Sequence, residues 1–169
     1  EHRGDAWRRS VEAGIALIEN LSGDGQSAAE RAELAEIRLR TLDRADDEAR
    51  GARRTAAQQR EAAGDIEGAL AHYSHLLAGA PEDGELAEEL AAMAARHERW
   101  DDLASILSQS VTDGVSHGTR VQRMARIARI HLDNLDDAPG AVSWYERLFE
   151  SDPSHLEAYE RLTAQYRDS

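Results

Sequence analysis

The chain has 169 residues, enough for one domain or one short repeat array, and carries a formal net charge of −13. Hydrophobic residues make up 41% of it but aromatic residues only 5%, and alanine is abundant, a balance that favours closely packed helices over a β-sandwich or barrel. The negative charge argues against binding to nucleic acid or to an anionic membrane, and the absence of cysteine excludes disulfides, thiol catalysis and cysteine-ligated zinc.

The spacing of apolar residues, with turn residues between the periodic stretches, predicts about nine helices joined by short turns. The first two are separated by a turn at 22–25, and the third is rich in alanine and poor in large apolar residues. A glycine-containing loop at 112–118 precedes the seventh helix, and four additional residues enter the spacing either in this loop or in a longer seventh helix. The predicted ranges are 7–21, 27–42, 46–63, 66–78, 82–97, 100–111, 119–134, 139–150 and 154 to the end.

One arrangement of residues occurs twice, 72 residues apart, in the predicted second helices of two hairpins. It consists of a small residue, an aromatic residue four positions later, a leucine and then a proline. The first copy is Ala69, Tyr73, Leu76 and Pro81, and the second is Ala141, Tyr145, Leu148 and Pro153. Between them, Leu103 and Leu107 stand 34 residues after Ala69 and Tyr73. A period in the mid-thirties is typical of a helical-hairpin solenoid, in which each hairpin buries its apolar face against its neighbours.

These residues resemble the tetratricopeptide repeat family, whose second helix carries this small, aromatic and apolar order before a closing proline. The family's first helix carries an aromatic residue, a leucine and another aromatic, and Tyr159, Leu162 and Tyr166 match that order in the terminal helix. We expect these three residues, both copies of the recurring arrangement and Leu103 and Leu107 to form the structural core of the repeats. The resemblance implies an all-α, right-handed solenoid of antiparallel helical hairpins. It divides the single array into a degenerate hairpin at 5–43, repeat-like units at 50–83, 84–117 and 122–155, and a terminal helix at 154–168.

The resemblance also implies a non-catalytic protein-interaction module that binds a partner protein or peptide along its concave face, as a scaffold or adaptor. In the family, the first helices of the hairpins line that face. The corresponding residues here are Arg54, Gln58, Glu61, Glu85, Glu88, Arg96, Arg123, Arg126 and Asn134. Because these residues are of mixed charge, we expect the face to select partners by their pattern of charges. The family's carboxylate-clamp subclass uses lysine and asparagine, so the absence of lysine argues against a clamp of that kind.

Four arginines, at positions 120, 123, 126 and 129, follow one another at intervals of three on the predicted seventh helix. One interpretation is a contact with an acidic segment of a partner, because guanidinium groups bind carboxylates in bidentate fashion. A sharper form of it has Arg123 and Arg126 as the anchors. The other interpretation is intramolecular pairing with Glu85, Glu88 and Glu89 on the fifth helix.

The sequence offers little for catalysis. His72 and His75 lie three apart on one helix, but a third metal ligand is missing from the pattern. No nucleophile elbow or phosphate-binding glycine loop occurs, and paired acids at helix starts suit the helix dipole. We therefore expect neither an enzyme nor a cofactor. The alternatives to an adaptor are a structural spacer or a module that self-associates through its terminal helices, and a regulatory sensor segment of a larger enzyme or transcription factor.

The compartment is left open by the sequence. No apolar run approaches the length of a membrane-spanning helix, so we expect a soluble protein, in the cytoplasm rather than the periplasm. The chain begins at Glu1 with no methionine, which suggests a fragment or a processed protein. All 20 basic residues are arginine, a bias typical of a GC-rich bacterium.

Overall fold

The computed structural model describes residues 9–11, 13–16, 27–41 and 47–167, and every regular element within these ranges is an α-helix. The predicted all-α class is therefore confirmed. The predicted turn at 22–25 and the ends of the first helix lie outside the described residues. The helices are α1 (residues 9–11 and 13–16), α2 (Ala28–Thr41), α3 (Asp47–Ala62), α4 (Ile66–Gly79), α5 (Gly84–Arg96), α6 (Trp100–Gln109), α7 (His117–Asp133), α8 (Ala138–Ser151) and α9 (Leu156–Arg167).

The chain divides into two compact units, Glu1–Leu76 and Leu77–Ser169. The division falls inside α4, so it cuts the predicted repeat-like unit at 50–83.

In the first unit, α2 and α3 run antiparallel. Arg31 Nε donates to Gln59 Oε1 at 2.9 Å, and Arg38 Nη2 lies 3.5 Å from Glu48 Oε1, so residue numbers fall along α3 as they rise along α2. The alanine-rich α3 packs tightly because Ala49, Ala56 and Ala57 on its inner face are buried. Two further alanines are less covered: Ala52 on α3 is half-buried, and Ala63, just past its end, is exposed.

In the second unit, α5 and α7 run parallel. Glu82, just before α5, accepts a hydrogen bond from the Thr119 hydroxyl at 2.6 Å, and Glu88 binds Arg126 one or two turns further along both helices. These side-chain contacts therefore bridge two helices that are separated in the chain by α6.

Apolar side chains of α7, α8 and α9 form a core cluster in the second unit. Its buried members are Met124, Ala125, Ala128, Ala141, Tyr145, Leu148 and Ala158. The helices that carry them begin at short polar side chains: Ser116 accepts from the Thr119 amide before α7, and Asp137 accepts from the Gly140 amide before α8.

The recurring residues take different positions in these cores. The small, aromatic and leucine positions of both copies are buried, as are Leu103 and Leu107. Pro81 is half-buried and Pro153 is exposed, because both lie in the turns that follow their helices. Leu162 is half-buried and Tyr159 is exposed, whereas the side chain of Tyr166 lies outside the described residues.

Candidate functional site

The nine predicted partner-binding residues fall in both units. Three lie on α3 in the first unit, where Gln58 is exposed and Arg54 and Glu61 are half-buried. On α5, Glu85, Glu88 and Arg96 are exposed. On and just after α7, Arg126 is half-buried, Asn134 is exposed and Arg123 is buried.

The structure brings Glu88 and Arg126 together. Arg126 Nη1 and Nη2 donate to the two carboxylate oxygens of Glu88 at 2.5 and 2.9 Å, a bidentate pair across α5 and α7. The hydrogen bonds from Arg126 hold the pKa of Glu88 below its ordinary value, although burial opposes this. This pair therefore links α5 to α7.

Arg123 is only 5% exposed and binds main-chain oxygens. Its Nη1 donates to the Ser110 carbonyl, at the end of α6, at 3.0 Å, and its Nη2 donates to the Pro81 carbonyl ahead of α5. Burial lowers the pKa of the guanidinium, and the charge of Glu82 partly compensates. The side chain thus ties α7 to the end of α6 and the approach to α5, and it does not present its charge to solvent.

The other two arginines of the series also have acidic neighbours. Arg129 makes a bidentate pair with Glu157 on α9, with Nε at 2.8 Å from Oε1. Arg120 Nη1 lies 3.4 Å from Oδ1 of the exposed Asp113. The four arginines do not share one face, because a step of three residues turns a helix by about 300° and each arginine lies some 60° behind the last.

The Tyr145 hydroxyl adds a polar contact that the sequence did not reveal. Tyr145 is 2% exposed, and its hydroxyl donates to Glu157 Oε1 at 3.0 Å. Burial and this hydrogen bond raise the pKa of Tyr145 to about 12. Glu157 therefore joins α7, α8 and α9 through Arg129 and Tyr145.

In the first unit, His72 belongs to a chain of hydrogen-bonded polar side chains. Its Nε2 lies 2.6 Å from Glu36 Oε1, and Glu36 also accepts from Arg60 Nη2 at 3.1 Å. Arg60 in turn lies 2.7 Å from Asp65. Burial would raise the pKa of Glu36, but His72 and Arg60 outweigh it and lower the pKa. His72 is thus bound to a carboxylate that links α2, α3 and α4.

An apolar groove of about 670 Å³ lies between α8 and α9. Phe149, Tyr159 and Leu162 line it, with the two ring centroids 6.4 Å apart. Tyr159 is 56% exposed, because the inner side of α9 is taken by Ala158 and Leu162, which pack against α7 and α8. Sequence reasoning placed Tyr159 and Leu162 in the core but did not predict a groove.

Comparison of the chain with protein-family models found no matching family, and comparison with curated proteins found no significant match. Within the described ranges, no three or more histidine, aspartate or glutamate side chains are grouped closely enough to hold a metal ion. None of the helices in the described part of the chain is long and apolar enough to span a membrane.

Proposed function

We propose that this chain is a tetratricopeptide-like repeat module that binds another protein without catalysing a reaction. The observation that carries the proposal is that α5 and α7 run parallel and are bridged by side chains, Glu82 with Thr119 and Glu88 with Arg126. In a hairpin solenoid this arrangement places the first helices of successive repeats side by side, where they form a continuous surface. The 34-residue recurrence in the sequence supports the same arrangement.

The proposed binding surface consists of polar side chains of α5, of α7 and of the residue that follows α7, all of them exposed except the half-buried Arg126. We call it the α5–α7 surface and define it by Glu85, Glu88, Arg96, Arg126 and Asn134. An acidic partner segment would compete with Glu88 for Arg126. The competition is inexpensive, since a solvent-exposed ion pair contributes only about 0–1 kcal/mol. The buried Arg123 has no direct role in this contact.

The test is capture of partners from lysate of the native cell, with the wild-type chain beside Arg126→Glu. The matched control is the double variant Glu88→Arg with Arg126→Glu, which keeps the ion pair but exchanges its charges. A partner lost from both variants supports direct contact at Arg126. If a partner is lost from Arg126→Glu but captured again by the double variant, only the internal ion pair matters. If both variants still capture the partner, its interface lies elsewhere.

The alternative with an observation in its favour is self-association. Leu156 and Tyr159 on α9 are 67% and 56% exposed, and large exposed apolar side chains favour association. Sedimentation over a range of concentrations distinguishes the two, because a strict monomer excludes self-association. A sensor segment of a larger enzyme or transcription factor remains a prediction, as do a cytoplasmic location and the absence of nucleic-acid binding.

A further inference from the structure

The groove between α8 and α9 has an apolar floor and an acidic border on its α8 side. Phe149, Tyr159 and Leu162 supply the apolar surface. Glu146 and Glu150 line the groove one helical turn apart on α8, and Arg167 lines it on α9. A surface that combines exposed aromatic area with carboxylates matches a ligand that is apolar on one side and basic beside it.

The internal stacking of the second unit indicates which kind of ligand suits such a face. Ala158 and Leu162 of α9 pack against the cluster formed by α7 and α8, and Glu157 makes a bidentate pair with Arg129. The chain therefore already contains one helix that packs against two others, with an arginine–glutamate pair beside the apolar contact. The α8–α9 groove offers the apolar part and the carboxylate part of the same arrangement.

We propose that the α8–α9 groove binds an amphipathic helix of a partner protein, with its apolar face on Tyr159 and Phe149 and arginine or lysine beside Glu150. A second copy of this chain is a poorer occupant, because each copy carries a net charge of −13 and would bring a like charge to an acidic border. A small apolar molecule is also disfavoured. Its site would be expected to enclose it, whereas Tyr159 is 56% exposed.

This inference adds a second surface to the proposed interaction function, and its test does not involve Glu88 or Arg126. The probes are two fluorescein-labelled, alanine-based peptides of about 18 residues, five helical turns. Both carry leucine at every third or fourth position, and the flanking positions are arginine in one and glutamate in the other. Fluorescence anisotropy measures the affinity of each for the full chain.

We expect saturable binding of the arginine-flanked peptide and much weaker binding of the glutamate-flanked one. Glu150→Arg should weaken the first about tenfold and strengthen the second, since it exchanges an attraction for a repulsion. Tyr159→Ser should weaken both. The matched control is Glu160→Arg, which changes the net charge equally at an exposed α9 residue that does not line the groove.

Three results would overturn the proposal. One is the absence of saturable binding by the arginine-flanked peptide. Another is an equal loss of affinity in Glu150→Arg and Glu160→Arg, which would mean attraction by net charge alone. The third is a concentration-dependent dimer that Tyr159→Ser abolishes, which would make a second copy the occupant. Since the α5–α7 surface is unchanged in all these variants, lysate capture through Arg126 can succeed or fail independently.

Discussion

Replacing Arg123 with methionine tests whether a buried arginine holds the second unit together. Methionine keeps much of the volume but removes both donors, so the Ser110 and Pro81 carbonyls lose this partner. A buried polar group left unsatisfied costs about 1–3 kcal/mol. The Ser110 carbonyl belongs to a buried residue, whereas Pro81 is half-buried and water can replace part of its hydrogen bond. We therefore expect a loss of about 1–3 kcal/mol in the free energy of unfolding, offset in part by the desolvation that the guanidinium no longer undergoes.

Urea denaturation followed by far-UV circular dichroism measures this loss. Arg120→Met is the matched control on the same helix, and it should change stability by no more than about 1 kcal/mol because its partner Asp113 is fully exposed. Arg123→Lys keeps the charge without the planar fork of donors and should fall between the two. The reasoning is refuted if Arg123→Met unfolds at the same urea concentration as Arg120→Met.

Three further predictions concern the cores and their titrating groups. The pKa of Glu36 is lowered in the folded chain, so the ionised side chain stabilises the fold. Its contribution to the free energy of unfolding is complete above about pH 4.3 and declines as the pH falls further. In Glu36→Gln the free energy of unfolding should therefore fall less steeply as the pH is lowered. An unchanged fall would contradict the lowered pKa of Glu36. Tyr145, with its pKa raised to about 12, stabilises the fold fully below about pH 10, and this contribution is lost as the pH rises through 12. In Tyr145→Phe, denaturation midpoints measured over a series of alkaline pH values should not show this loss. Ala69→Leu should cost about 1–3 kcal/mol by overpacking a site that is 0% exposed, whereas Ala71→Leu, at an exposed site two residues on, should leave thermal unfolding nearly unchanged.

For the four arginines of α7, the sequence predicted the positions along the helix but only part of the contacts. The spacing correctly located four cations on one helix, and the alternative of pairing with the fifth helix named Glu88, which is the partner of Arg126. It did not indicate that Arg123 is buried, because burial depends on the rotation of α7 against α6 and on the loop before α5. Nor did it indicate Glu157, which meets Arg129 only after α9 has packed against α7.

The sequence by itself determined the helical class and much of the buried set. Apolar spacing, alanine content and turn residues are local properties, and they predict helices and inward-facing positions such as Tyr73 and Leu148 without knowledge of neighbours. The tertiary structure alone decided which polar groups meet and which apolar groups remain uncovered. The exposure of Tyr159 and the hydrogen bond from Tyr145 to Glu157 both depend on how neighbouring helices pack, and side chains far apart in the chain determine that packing.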